Sequence, residues 1–315
     1  MILGKAFVEG NDQLTPISLQ SLRIDTLLDF DLYVKVDDEY VLYRAADMPF
    51  SEKTRRALLD NNVEYLYVSA DGRLGYQKYI EIHIRDIISD DTVSEATRTD
   101  ILYDTARLLI VDLFKKPTLI GNIERGMSLV EATIMHSLRS ADAFRNMLKV
   151  MAFNYTTYTH SVNVCAYTIT LAQFVGIDNP DELKKLGLGA LLHDVGMIKV
   201  PESILHKNGP LTAGERQLIE KHPQWGLEII LKTDMIPRES HYPIVQHHER
   251  ECGSGYPHAL KARDIHPYSK IVAIADVFDA MTTKRVYRHA VDSFPALKEM
   301  HEESDAFDKE LLDQF

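Results

Sequence analysis

The sequence predicts a mainly α-helical protein in which an all-helical C-terminal domain follows a small α+β N-terminal domain. Its 315 residues exceed what one small core requires, which favours two domains. Strand-like patterns are confined to the first part of the chain, and from about Ile84 onward the apolar spacing is helical. We expect an α+β domain at 1–84, a helical connector at 85–148 and the all-helical domain at 149–315.

The N-terminal domain shows a hairpin, a helix and a further strand. DLYVKVDDEYVLYRA predicts two strands turning near Asp37 and Asp38. Ser51 is the expected N-cap of a short helix, and VEYLYVSADG predicts a strand that ends in a turn. No chemical motif occurs here, so ligand sensing, binding of a protein partner and support of a homodimer all stay open.

The connector predicts two helices. Leu102, Ala106, Leu109 and Leu113 form one apolar stripe, and Lys116-Pro117 ends that helix before a second one, GMSLVEATIMHSLRS. These helices suit a connector or a homodimer face, or they simply pack on the C-terminal domain.

Composition excludes several classes of protein. The net charge of -12 argues against a duplex nucleic-acid binder, although local arginines can still hold a small phosphate ligand. Two cysteines give no metal-binding pair and fit a reducing compartment. The start, MILGKAFVEGNDQ, lacks a signal pattern, and no apolar run is long enough to span a membrane. We therefore expect a cytoplasmic protein.

Histidines and aspartates recur beside apolar runs in the second half. A buried carboxylate is unfavourable unless it is paired or metal-bound, and imidazole with carboxylate suits iron, manganese or zinc. Each residue alone also fits a structural role, but five imidazoles and two carboxylates together can build two adjacent metal sites. These residues are His160, His193, Asp194, His222, His247, His248 and Asp276.

The order of these motifs resembles the HD-GYP family. The resemblance rests on the HD pair in LGLGALLHDVG, on HHER followed by GSGYP, and on AIADVFDAMT. FDKELLDQF also resembles the last helix of the family, and the match covers about 165 residues. It implies an all-helical HD-type domain that binds two divalent ions and hydrolyses cyclic di-GMP or a related nucleotide. Iron is the expected metal for both ions, and manganese is the alternative.

The resemblance also implies roles for individual residues. The first ion would be held by His160, His193, Asp194 and Asp276. Asp194 would be the catalytic bridge to the second ion, which would also be held by His222, His247 and His248.

Two arginines and a tyrosine are the expected substrate-binding residues. Arg285 and Arg288 lie three apart, so on a helix they share a face, and their guanidinium groups suit phosphate oxygens. In the family such arginines hold the ligand's phosphates, although two solvated surface arginines are the plain alternative. Tyr256 in the GYP loop either lines the site or anchors the loop, and the loop is also an expected contact for protein partners.

Several positions depart from the family pattern. Met197 stands where HDIGK has a lysine, and a thioether cannot donate a charged hydrogen bond to phosphate. Lys199, two residues on, would face away if this segment is helical. Cys252 replaces an aspartate, either weakening the loop or filling buried space, and Thr156 replaces a glutamate that supports a third metal in some relatives.

Three functions compete on these grounds. The intact set of metal ligands favours a cyclic di-GMP phosphodiesterase, with weak activity because of Met197. Met197 also fits a catalytically degenerate receptor or scaffold that keeps its metals. A general nucleotide phosphohydrolase of the HD type is the third, and Arg285, Arg288 and the GYP loop argue against it.

Overall fold

The computed structural model describes residues 14–139, 143, 146–147, 151, 157–207, 209–283, 291–303 and 305–315. The chain divides into two compact units, Met1–Thr105 and Ala106–Phe315. The threefold division at 84 and 148 therefore stays a prediction. The fold class is confirmed, because a small sheet lies in the first unit and the second is helical.

The sheet of the first unit is antiparallel. Its strands are β1 (Thr15–Ser18), β3 (Leu32–Val36), β4 (Glu39–Arg44) and β6 (Tyr65–Val68), in the order β1-β6-β3-β4, while β2 (Thr26–Leu27) pairs with β5 (Pro49–Phe50). Asp37 and Asp38 connect β3 to β4 with φ of 47° and 65°. A two-residue hairpin turn of type I′ needs positive φ at both positions, which aspartate tolerates. The predicted hairpin is confirmed.

The first unit also contains helices. Helix α1 (Glu52–Asp60) begins at Ser51, whose hydroxyl accepts a hydrogen bond from the Thr54 amide, as predicted. Helix α2 (Arg73–Ser89) begins eleven residues before the expected Ile84. The buried residues of α2 recur at helical spacing and include Tyr79, Ile80, Ile84 and Ile87. The helical pattern of α2 therefore starts within the segment that we assigned to the α+β domain.

Helix α3 (Glu95–Lys115) contains the division between the units and ends before Pro117, as predicted. The second unit continues with α4 (Ile120–Arg139), α5 (Thr157–Phe174), α6 (Pro180–Leu192), α7 (Glu202–Leu205), α8 (Ala213–Ile219), α9 (His222–Ile230), α10 (Arg238–Gln246), α11 (Pro267–Thr282), α12 (Ser293–Glu302) and α13 (Lys309–Gln314). Within the described residues, no helix is both long enough and apolar enough to cross a bilayer.

The core of the second unit forms around α6. Leu186, Ala190, Leu191 and Leu192 are fully buried, and α6 packs against α4, α5 and α10. Gly187 permits this approach, because a Cβ there would lie 2.7 Å from Val130 and 3.2 Å from Ile169. The end of α6, where the HD pair lies, is therefore fixed against three neighbouring helices.

Candidate metal centre

The seven predicted metal ligands come together at one place, mostly where helices begin or end. They are His160 in α5, His193 and Asp194 directly after α6, His222 as the first residue of α9, His247 and His248 directly after α10, and Asp276 in α11. Helix ends suit this role because a ligand there projects from a backbone that the rest of the helix holds in place.

Asp194 lies at the centre, and its two oxygens face different groups. Oδ1 is 3.2 Å from His222 Nε2 and 3.8 Å from His247 Nε2. Oδ2 is 3.5 Å from His193 Nε2 and 3.9 Å from His160 Nε2. The ligand atoms accordingly fall into two clusters that share Asp194, one with His160 and His193 and the other with His222, His247 and His248.

Asp276 lies beside both clusters. Its Oδ1 is 3.1 Å from His160 Nε2, and its Oδ2 is 3.8 Å from His248 Nδ1. Two ligand atoms bound at about 2.1 Å to one ion lie about 3.0–3.4 Å apart when the angle between them is 90–109°. The spacing of Asp276 from His160, and of Asp194 from His222, is therefore that of neighbouring ligands on one ion.

Hydrogen bonds fix the orientation of four of the imidazoles. Nδ1 of His193 lies 2.7 Å from the Ala190 carbonyl, that of His222 lies 2.8 Å from the Ile219 carbonyl, and that of His247 lies 2.9 Å from the Pro243 carbonyl. A carbonyl can only accept, so each Nδ1 carries the proton and leaves Nε2 with a free lone pair.

The Nδ1 of His160 makes the same kind of contact to a side chain, lying 2.7 Å from Asp279 Oδ2. Metal-binding histidines usually hold their second nitrogen in this way. His193 Nε2 is buried and has no hydrogen-bond partner among the described residues. An unpaired buried lone pair is unfavourable, so the residues fit a bound cation.

Electrostatics also favour a cation in the cluster. Burial acts to raise the pKa of Asp194, but the neighbouring imidazoles, His193 first, outweigh it and hold the pKa well below its usual value. The pKa of Asp276 is lowered as well, with its contact to the His160 imidazole as the main cause that opposes burial. Burial lowers the pKa of His248 to about 3, against the opposing charge of Asp276. Charged carboxylates next to a neutral imidazole are what a divalent ion requires.

Two glycines let the backbone close around the site. A Cβ on Gly196 would lie 2.6 Å from the Gly226 amide and would overlap the His222 carbonyl. The HD segment and the start of α9 thus touch through their backbones, which brings His222 beside Asp194. A Cβ on Gly255 would lie 2.5 Å from the Arg250 amide, so the GYP loop folds directly onto the segment that follows His248.

The GYP loop is held by a residue that sequence reasoning missed. Glu249 is buried, and its carboxylate accepts hydrogen bonds from the backbone amides of His258 at 2.7 Å and Leu260 at 2.9 Å. Its position directly after the two histidines was the available signal. Tyr256 stacks on His248 with ring centroids 4.6 Å apart and lies 6.4 Å from the His222 ring, so it borders the cluster.

Asp279 and Asn163 were also missed. Both are fully buried, and Asn163 donates from Nδ2 to Asp279 Oδ1 at 2.7 Å. The available signal for Asp279 was its spacing, three residues after Asp276 on the same helix, which places both carboxylates on one face of α11.

The remaining predicted positions have different outcomes. Met197 is half-buried in a 3₁₀ turn, Val195–Lys199, directly after Asp194, and Lys199 extends to Glu228 at 2.6 Å, outside the cluster. Of the two alternatives for Cys252, filling buried space is wrong, because its side chain is exposed and lies 3.1 Å from the Ser254 hydroxyl. Thr156, Arg285 and Arg288 lie outside the described residues.

Comparison with known proteins defines the class of the second unit. The family model described as HD domain matches residues 142–311, more than half of the chain. The chain belongs to the HD domain family. The expected resemblance to HD-GYP proteins is confirmed by a solved structure, Bd1817, a HDG"Y"P protein from Bdellovibrio bacteriovorus. That structure matches with a TM-score of 0.67 and 26% identity, over 96% of this chain and 97% of the other.

Two curated relatives are similar to 70% or more of the chain. Cyclic di-GMP phosphodiesterase PA4108 from Pseudomonas aeruginosa is 31% identical over 223 residues, which is 70% of this chain and 54% of the relative. The 3'3'-cGAMP-specific phosphodiesterase 2 from Vibrio cholerae is 29% identical over 289 residues, which is 86% of this chain and 55% of the relative. The chain thus spans about half the length of these two relatives.

Proposed function

We propose that the chain is a bimetal phosphodiesterase that hydrolyses cyclic di-GMP. The observation that carries this proposal is the pair of ligand clusters sharing Asp194, in a member of the HD domain family. The names of the two curated relatives support a cyclic dinucleotide as the substrate class. A homodimer and a protein partner at the GYP loop or the N-terminal unit stay predictions.

Two ions would share the seven ligands. His160, His193, Asp194 and Asp276 would hold the first ion, and Asp194 would bridge to the second. His222, His247 and His248 would complete the second site. Because the ligands are imidazoles and carboxylates without a thiolate, iron or manganese suits them.

Each part of the site has its own task in hydrolysis. The ions, when bound, supply Lewis acidity to the scissile phosphate and activate water for in-line attack. Asp194 keeps both ligand clusters at a fixed separation. Hydrogen bonds at Nδ1 hold four of the imidazoles in fixed orientations. Arg285 and Arg288 would bind the phosphates by charge-assisted hydrogen bonds, and Tyr256 would line the wall.

A receptor or scaffold is the second candidate, and the segment after Asp194 favours it. Met197 supplies no charge there. The nearest lysine in sequence, Lys199, donates a hydrogen bond to Glu228, and its ammonium lies 5.9 Å from the Trp225 ring. One preorganised donor to the transition state contributes about 3–4 kcal/mol. A site without it can bind a cyclic dinucleotide and cleave it slowly.

Metal analysis beside a turnover assay tests the proposal. The full chain is purified anaerobically, its metals are counted, and hydrolysis of cyclic di-GMP and of 3'3'-cGAMP is followed with iron and with manganese. Two ions per chain and hydrolysis that disappears in Asp194→Ala are expected. Two bound ions with ligand binding and no hydrolysis would establish the receptor instead. Hydrolysis of 3'3'-cGAMP but not of cyclic di-GMP would identify 3'3'-cGAMP as the substrate in place of cyclic di-GMP.

A further inference from the structure

The four imidazoles with a hydrogen-bonded Nδ1 are not equivalent. His193, His222 and His247 contact backbone carbonyls that lie three or four residues earlier in the chain. His160 instead contacts the carboxylate of Asp279, 119 residues later in the sequence. A carboxylate makes the imidazole a more basic ligand than a neutral carbonyl does. Among the residues that the structure describes, a carboxylate supports an imidazole of only one of the two ligand clusters in this way.

Asp279 is itself held on its far side. Its Oδ1 lies 2.7 Å from Asn163 Nδ2 and 2.9 Å from the Thr283 hydroxyl, and the carboxylate is completely buried. Because both donors converge on Oδ1, Oδ2 is left to receive the proton on His160 Nδ1. A carboxylate oxygen accepts the Nδ1 proton here, so this arrangement favours the tautomer of His160 in which Nε2, 3.1 Å from Asp276 Oδ1, carries no proton and can act as a metal ligand.

We propose that Asp279 is a positioning residue that sets the tautomer of His160 and strengthens the cluster formed by His160, His193, Asp194 and Asp276. The inference rests on the proposed metal centre and is independent of the substrate. It also concerns charge: Asp279 adds a third buried carboxylate to Asp194 and Asp276, so these groups offset most of the positive charge of two divalent ions. A buried charge without such compensation is strongly unfavourable.

The isosteric variant Asp279→Asn has a defined consequence. Asn163 and Thr283 keep the amide oxygen on their side, because turning the group would place its NH₂ against the NH₂ of Asn163. The new NH₂ then faces His160 Nδ1, which must become the acceptor, and the proton moves to Nε2. A protonated Nε2 cannot bind a metal, so His160 is lost as a ligand while its ring stays in place.

Metal titration of the full chain, stripped of metal and then supplied with manganese, tests this inference. The wild type should bind two ions. In Asp279→Asn, affinity for one of the two should fall by about 10–100-fold, the usual effect of losing the outer partner of a metal-bound histidine, while the other ion binds as before. Thermal unfolding of the metal-stripped variant should match the wild type, and only the stabilisation by manganese should shrink.

Thr283→Val is the matched control, since it removes one donor to Asp279 but keeps the carboxylate. It should retain two ions with affinities near those of the wild type. Two ions of unchanged affinity in Asp279→Asn would overturn the inference. So would equal losses in both variants together with a lower unfolding temperature of the metal-stripped chain, because Asp279 would then be a packing residue. A wild type that binds two ions but hydrolyses no cyclic dinucleotide would refute the proposed function alone.

Discussion

The position of Gly196 allows a direct test of whether backbone packing holds His222 beside Asp194. In Gly196→Ala the new Cβ would lie 2.6 Å from the Gly226 amide and would overlap the His222 carbonyl, whereas real Cβ atoms stay beyond 3.0 Å. Both neighbours are backbone atoms and cannot rotate away. The start of α9 must therefore withdraw by several tenths of an ångström at Gly226 and by more at His222.

The size of the effect follows from the tolerance of a metal site. Ligand distances in such sites vary by only about ±0.2 Å, less than the displacement that the added methyl group requires. We expect one of the two ions to be lost, turnover to fall by about 10²-fold, and stability to fall by about 1–3 kcal/mol through overpacking. Metal content, turnover and thermal unfolding would each be measured on the same preparation.

Gly214 provides the matched control for Gly196. It is exposed in α8, and a Cβ there meets nothing within 4 Å. Gly214→Ala should keep both ions and the rate, and gain about 0.5–1 kcal/mol from the lower flexibility of the unfolded chain. If Gly196→Ala behaved like Gly214→Ala in all three measurements, close backbone contact would not be what places His222.

Three further predictions concern the centre and the substrate. Asp194→Ala should empty both metal sites, since Asp194 belongs to both clusters; if His222→Ala removed the first ion while Asp194→Ala spared both, the assignment of the bridge would be wrong. Replacing Arg285 and Arg288 with alanine should weaken ligand binding by about 1.5–3 kcal/mol for each lost contact and leave metal content unchanged, because guanidinium groups offer no lone pair; calorimetric affinity equal to that of the wild type would make both residues ordinary surface charges. Met197→Lys should raise the rate of hydrolysis by about 10²–10³-fold at unchanged metal content, and a variant with two ions and no gain would favour the receptor.

Much of the candidate metal centre could be predicted because its proposed ligands are local features of the sequence. His193-Asp194 ends an apolar helix, and Asp276 follows another apolar run, so burial and the need for a partner are visible without coordinates. The orientation of His193 is also local, since its Nδ1 partner lies only three residues away. Sequence spacing with 3.6-residue periodicity contains that information.

Contacts between distant segments could not be predicted in the same way. The pairing of His160 with Asp279 spans 119 residues, and no spacing rule connects them. The overlap that makes Gly196 necessary involves the backbone of another helix, which a single sequence does not reveal. For Cys252 the residue type itself was misleading. Cysteine is usually buried, but Cys252 is exposed in this loop.

Asp194 and the neighbouring proposed ligands also connect helices that are far apart in the sequence. The ligands come from α5, α11 and the ends of α6, α9 and α10, so two bound ions would cross-link five helices much as a set of disulfides would. Ligand binding that requires the folded state adds about 2.7 kcal/mol of stability at a concentration 100 times the Kd. The supply of metal in the cell would then determine how long the helical unit survives proteolysis, separately from any effect on catalysis.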